Sequence, residues 1–111
     1  MNIDYFLNKF ENIPSHKWTV GIRENFWGQR CVLGMCNKPE EIALNKLLSA
    51  LPNLTSNTED PYVFTPARIN NGEVNEYPQK DPRSRILAAL EDVKFYSIIG
   101  LIVLQDELVS C

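Results

Sequence analysis

Asp81-Pro82 fixes the start of a helix, and the rest of the chain has to be arranged around it. An aspartate can accept the free amides of a first helical turn, and proline tolerates the first helical position, where its missing N–H is no loss. Downstream, Ile86, Leu87, Leu90 and Val93 fall at i, i+1, i+4 and i+7, one stripe of period 3.6, while Arg83, Arg85, Glu91 and Asp92 lie off that stripe. The spacing predicts a helix over 82–94 with one buried and one wet face. Upstream, 62–69 reads as a strand in which Pro66 removes one ladder donor, and so as an edge or bulged strand. Asn70-Asn71-Gly72 tolerates positive φ and turns the chain sharply after it, which brings the corner close to the N-terminus of the 82–94 helix.

Arg83 and Arg85 then pose a question of charge. Cations in a first helical turn are disfavoured by the macrodipole by a few tenths to ~1 kcal/mol each, so something must compensate them. Two answers fit the sequence: local pairing with Asp81, Glu73 or Glu76, or a bound anion held by free helix amides and two guanidinium forks.

Elsewhere, Ile3, Phe6, Leu7, Phe10 and Ile13 predict an amphipathic helix over 3–12, capped by Asn2 and ended by Pro14. Asn37 with Glu40 has capping-box spacing, and Leu44, Leu47, Leu48 and Leu51 make the stripe of a helix over 39–51. Trp18, Val20 and Ile22 alternate with Thr19, Gly21 and Arg23, the period of a half-buried strand over 17–23. Trp18, Phe26 and Trp27 near Arg23 and Arg30 are either core anchors or an aromatic and cationic wall for a planar ligand. The uncharged run 95–104 must be covered, either as a strand of the same sheet or as an edge against a second copy of the chain. The expected fold is therefore α+β: a single compact domain, about three amphipathic helices on a small sheet, in which 1–94 is completed by 95–111.

At 111 residues the chain suffices for one core. A net charge of −3 supplies no basic field for duplex nucleic acid. The N-terminus has neither a cationic nor an apolar signal region, and no run reaches the ~18 apolar residues of a membrane span, so no membrane partner and a cytoplasmic location are expected. Cys31, Cys36 and Cys111 with the lone His16 do not have zinc-ligand spacing, and no metal or cofactor is expected.

Trp18…Gly21…Gly28-x-x-Cys31-x-x-Gly34, a mid-chain helix with Leu47 and Leu51, Ile69-Asn70-Asn71-Gly72 and Arg85-Ile-Leu-Ala-Ala-Leu90 follow one another in an order that resembles a family of small bacterial and phage proteins. The resemblance covers about residues 6–94. Asn71 stands where those proteins usually carry Asp, which argues against a general-base or metal-ligand role for that corner. The resemblance implies a compact α+β domain of phage or mobile-element type and assigns no activity.

For function, a Cys31 nucleophile with His16 as base lacks a third orienting residue and an oxyanion motif, so enzyme chemistry is not the expectation. A binding protein needs only Trp18, Trp27, Arg30, Asn70, Asn71, Tyr77, Arg83 and Arg85 as ligand-facing groups. Amides that pair with base edges, guanidiniums that hold phosphate and rings that stack suit a nucleotide-like small anion, and with the resemblance they suggest sequestration of a host immune signal. The alternative is inhibition of a host protein through a surface that includes loop 73–80 and the apolar tail, with homodimerisation through 95–104 as a further possibility.

Overall fold

The computed structural model describes residues 2–54 and 65–102, and in them the chain forms four α-helices. Helix α1 is Ile3–Glu11, where the Asn2 side chain accepts the Tyr5 N–H at 2.9 Å. Helix α2 is Lys38–Ser49, with the Asn37/Glu40 capping box closed in both directions and Pro39 in the first turn. Helix α3 is Thr65–Asn70, and α4 is Pro82–Ile98, capped by Asp81, whose side chain accepts the Ser84 N–H at 2.9 Å. Single 3-10 turns occupy Ser15–Lys17 and Leu33–Met35.

Helix α4 is the centre of the packing and touches α1, α2 and α3. Its buried stripe is Ile86, Ala89, Leu90 and Val93, with Leu87 only partly covered. Against it lie Phe6 and Phe10 of α1, Leu44 and Leu48 of α2, Ile69 of α3, and Val32 and Val74 from the connections.

The α+β expectation is overturned: no strand or sheet occurs among the described residues. Three segments account for the difference. Over 17–23 the alternation builds no face, because Trp18 is buried while Val20 and Ile22 are about half exposed, and Gly21 at φ +77° breaks the extended run. Only isolated bridges form there, Trp18 with Arg30 and Glu24 with Arg30. Of 62–69, residues 62–64 lie outside the described part and 65–69 are helical. Thr65-Pro66 opens a short helix, with proline in its first turn where it removes no helical hydrogen bond. Gly72 closes that helix at φ +77°: its N–H reaches the Ile69 carbonyl and the Glu73 N–H reaches Arg68, the two bonds of a Schellman cap. The sharp corner at Asn70-Asn71-Gly72 is present as a helix end rather than a strand end. The expected intrachain strand over 95–104 is likewise not formed in its described part. Helix α4 continues to Ile98 and stops in the same motif, Gly100 N–H to Ser97 and Leu101 N–H to Tyr96, with Gly100 at φ +81°. This leaves Phe95, Ile98, Ile99 and Leu101 exposed, and 103–104 fall outside the described residues.

One buried carboxylate ties α1 to the start of α2. Glu40 accepts hydrogen bonds from the Tyr5 hydroxyl at 2.5 Å, Lys9 Nζ at 2.9 Å and the Asn37 N–H at 2.9 Å. Burial pushes its pKa up, but these three donors and the Lys9 charge outweigh burial and hold it down at about 2, against an ordinary 4.5. A carboxylate with a depressed folded-state pKa contributes stability above its unfolded pKa and loses it as pH falls through the folded one. The contribution of Glu40 is thus complete above about pH 4.5 and is lost between there and about pH 2. Glu40→Gln should lower stability by roughly 2 kcal/mol at neutral pH and flatten the acid limb. Urea melts from pH 6 to pH 2 check this, and an unchanged acid limb in the variant would show that another carboxylate sets it.

Candidate functional site

The polar residues that the sequence marks as ligand-facing are mostly engaged with the protein's own backbone. Asn70 is fully buried; its Oδ1 accepts the Val32 N–H at 3.0 Å, and its Nδ2 donates to the Thr19 carbonyl at 3.0 Å. Asn71 Oδ1 accepts the Gly21 N–H at 2.9 Å and Asn70 Nδ2 at 3.1 Å. The amide corner is therefore the buckle that holds the excursion 19–32 to the end of α3.

The arginines find a form of compensation in backbone carbonyls. Arg83 donates to the carbonyls of Ile13 at 3.1 Å and Glu11 at 2.9 Å, beside the C-terminal end of α1. Arg85, buried, donates from Nε to Ile69 O at 3.1 Å and Asn70 O at 3.2 Å, from Nη2 to Asn70 O at 2.6 Å, and from Nη1 to Gln79 O at 2.7 Å. Each cation sits at the first turn of α4 but serves the carbonyl end of another helix, where peptide dipoles place partial negative charge. Asp81 feels both charges: hydrogen bonds from Ser84, opposed by burial, and the nearby Arg85 and Arg83 hold its carboxyl below the usual range.

Tyr77 is also internal. Its hydroxyl donates to Asp92 Oδ2 at 2.9 Å and accepts from Asn53 Nδ2 at 3.3 Å, and burial first, then Asp92, pushes its pKa up. Trp18 is a core residue, edge-on to Phe10 at 5.6 Å, with its indole N–H donated to Ile13 O at 3.0 Å. Of the thiols, Cys31 is buried, and Cys36 is pushed up to about 12 by burial and then by Glu40, which keeps it protonated at neutral pH.

Trp27 and Arg30 remain on the surface, and with them Phe26. The chain from Thr19 to Arg30 leaves the core and returns. At its base the Thr19 N–H reaches Arg30 O and the Arg30 N–H reaches Lys17 O, each at 2.9 Å, and Arg23 Nη1 pairs with the buried Glu41 carboxylate. At its tip Asn25 closes a tight loop. Its Oδ1 accepts the N–H of Trp27 and of Gln29, both at 3.0 Å, its Nδ2 donates to Gln29 Oε1 at 2.8 Å, and its own N–H reaches Gln29 O at 2.9 Å. Gly28, at φ +79°, completes the turn and donates to Asn25 O. Gln29 Nε2 anchors the loop to His16 O at 2.9 Å. On this pinned frame Phe26 is 95% and Trp27 81% exposed, their rings edge-to-face at 6.1 Å. Val20 and Ile22 add partly exposed aliphatic surface on the same excursion, and Arg30 pairs with Glu24 at 3.0 Å with both side chains about half exposed.

The structure thus gathers Trp18, Arg30, Asn70, Asn71 and Arg85 about the root of one excursion and presents Trp27 at its tip, while Tyr77 and Arg83 belong to other contacts. Phe26 joins Trp27 as the other displayed ring. The signal that separates this pair from Trp18 is Asn25 followed by Gly28: an Asx turn closed by a residue of positive φ makes 25–29 a loop tip, and side chains on a loop tip point outward.

Comparison with family models, with curated proteins and with solved structures gives no match to this chain. Among the described residues no group of His, Cys, Asp or Glu could hold a metal ion, and no helix is long and apolar enough to cross a membrane.

Proposed function

We propose that this chain is a binding protein that docks onto another protein through the Phe26–Trp27 tip. The observation that carries the reading is the exposure of two adjacent aromatic rings on a loop pinned by its own Asn25 and Gln29. Two large apolar rings held in water are unfavourable for the free protein, and a rigid loop loses little conformational entropy when they are buried. Tryptophan is enriched among the residues that dominate interface energies, and the same excursion exposes Val20, Ile22 and Arg30 as further surface that a partner could cover. A protein is therefore the partner we favour. A nucleotide-like anion stacked on Trp27 is the second reading, supported by the half-exposed guanidiniums of Arg23 and Arg30 on the same excursion.

Photo-crosslinking in cells tests the proposal. A benzophenone amino acid at position 26 should give one defined protein adduct, absent when the same group is placed at Ile42 of α2, itself exposed. Adding Trp27→Ser should weaken that adduct about tenfold or more, the scale of a lost interface hot spot, without changing the melting temperature. Equal labelling from positions 26 and 42, or an adduct indifferent to Trp27→Ser, contradicts the protein-docking reading. Quenching of Trp27 emission by nucleotides would support the second.

A further inference from the structure

The Asn71-Gly72 pair has a chemistry of its own that the docking tip does not use. Asparagine followed by glycine is the sequence most prone to self-cyclisation, because no Cβ on the following residue hinders its backbone nitrogen. No other asparagine in the chain precedes a glycine. Each reacting atom here is held elsewhere. The Gly72 nitrogen, which must lose its proton to attack, donates to Ile69 O at 3.1 Å as part of the cap of α3. The Asn71 carboxamide, which must present its carbon to that nitrogen, has its oxygen between the Gly21 N–H at 2.9 Å and Asn70 Nδ2 at 3.1 Å. The guanidinium of Arg85 lies over the glycine, 3.4 Å from where a Cβ would stand, and is itself fixed by the carbonyls of Ile69, Asn70 and Gln79.

We propose that Asn71-Gly72 is a latent deamidation site that the fold keeps closed and that opens when the C-terminal cap of α3 unwinds and separates from the 19–32 excursion. In the open state the Gly72 nitrogen gives its proton to solvent base and attacks the Asn71 side-chain carbonyl carbon. A cyclic imide forms, and the side-chain nitrogen leaves as ammonia. Water then opens the ring at either carbonyl, leaving aspartate or isoaspartate at position 71, so the net change is one water consumed and one ammonia released, with no oxidant or reductant. The two products differ in effect. Aspartate keeps an oxygen for the Gly21 N–H, whereas isoaspartate moves a methylene into the main chain at the cap of α3 and cannot keep both the Gly72–Ile69 bond and the tie to Gly21. Isoaspartate formation would therefore loosen the root of the excursion that carries Trp27, converting prolonged unfolding into a permanent mark.

The test is peptide mapping by mass spectrometry after incubation of the purified full chain at mildly alkaline pH, natively and in denaturing urea. Because native reaction has to pass through a local opening, Asn71 should convert about tenfold or more slowly in the folded protein than in urea. Asn71→Ala, which frees the Gly21 N–H but cannot cyclise, supplies the zero of the assay. Asn71→Asp should fold and melt close to wild type, whereas the isoaspartate fraction, separated by chromatography, should melt lower. Equal native and urea rates would show that the fold does not guard the site. Conversion in urea no faster at Asn71 than at the other asparagines would show that it is not a privileged site. Either result overturns the proposal, and neither bears on whether Phe26 and Trp27 dock a partner.

Discussion

Gly34→Ala should abolish cooperative folding or cost at least about 3–5 kcal/mol, among the largest effects of any single methyl in this chain. A Cβ at Gly34 would stand 1.9 Å from the Arg23 carbonyl oxygen and 2.8 Å from its carbon. Both are backbone atoms, so no rotamer change relieves the overlap. Nor can that carbonyl retreat easily, since it accepts the Cys31 N–H at 3.3 Å and its residue is tied through the side chain to Glu41 and to Leu33 O at 3.4 Å. The added carbon must push the 19–32 excursion off the 3-10 turn Leu33–Met35. Loss of near-ultraviolet dichroism together with a lowered urea midpoint is the expected result. A Gly34→Ala protein with the wild-type midpoint would show that the two segments are not in contact.

Arg85→Met should cost about 3–5 kcal/mol, because it removes a buried cation together with the donors of three carbonyls, of which those of Ile69 and Asn70 are engaged in buried bonds. The side chain supplies four hydrogen bonds to Ile69, Asn70 and Gln79, and through Asn70 it supports the contacts to Val32 and Thr19. Methionine restores most of the apolar volume, so the loss reports the hydrogen bonds and the charge at the end of α3 rather than a cavity. Arg83→Met should cost less, about 1–2 kcal/mol, since one of its two carbonyl contacts is exposed to solvent. Chemical denaturation of the two variants side by side reads the difference. If both fall within about 0.5 kcal/mol of wild type, the arginines are not structural and an anion site regains its case.

Three of the four helices, α1, α2 and α4, are legible in the sequence because each carries both a stripe and a punctuation mark. Asn2, Asn37 and Asp81 cap α1, α2 and α4 as their spacing predicts, and the stripes Phe6–Phe10, Leu44–Leu48 and Ile86–Val93 are the core. The strands were misread for a physical reason: a short alternating or β-branched run carries a period but no partner, and partners decide whether a sheet exists. Ile98-Ile99 looks like strand material, yet Gly100 directly after it is a helix terminator, and Gly72 plays the same part after Thr65–Asn70. Read as C-terminal caps, those two glycines point to helices. The candidate site was legible only in part. Arg83 and Arg85 in a first helical turn call for compensation, but peptide dipoles from the distant ends of α1 and α3 have no signature in local sequence. Asn70 and Asn71 bond to backbone atoms about fifty residues away, at Thr19 and Gly21, and no spacing rule reveals this. Trp18 and Trp27 look alike in composition, and only the turn chemistry of Asn25 and Gly28 sends one inward and the other out.

On the proposed reading, binding resides in the Phe26–Trp27 tip, and the amide and guanidinium groups beneath it are scaffold. Its most direct test is a calorimetric titration of the protein crosslinked at position 26 against wild type and against Phe26→Ser/Trp27→Ser, with the melting temperature of each taken on the same samples. Affinity should fall by at least about 2 kcal/mol, the scale of an interface hot spot, while the melting temperature stays at the wild-type value or rises slightly as exposed rings are removed. Undiminished affinity in the double variant, or a loss that merely follows a lowered melting temperature, would contradict it.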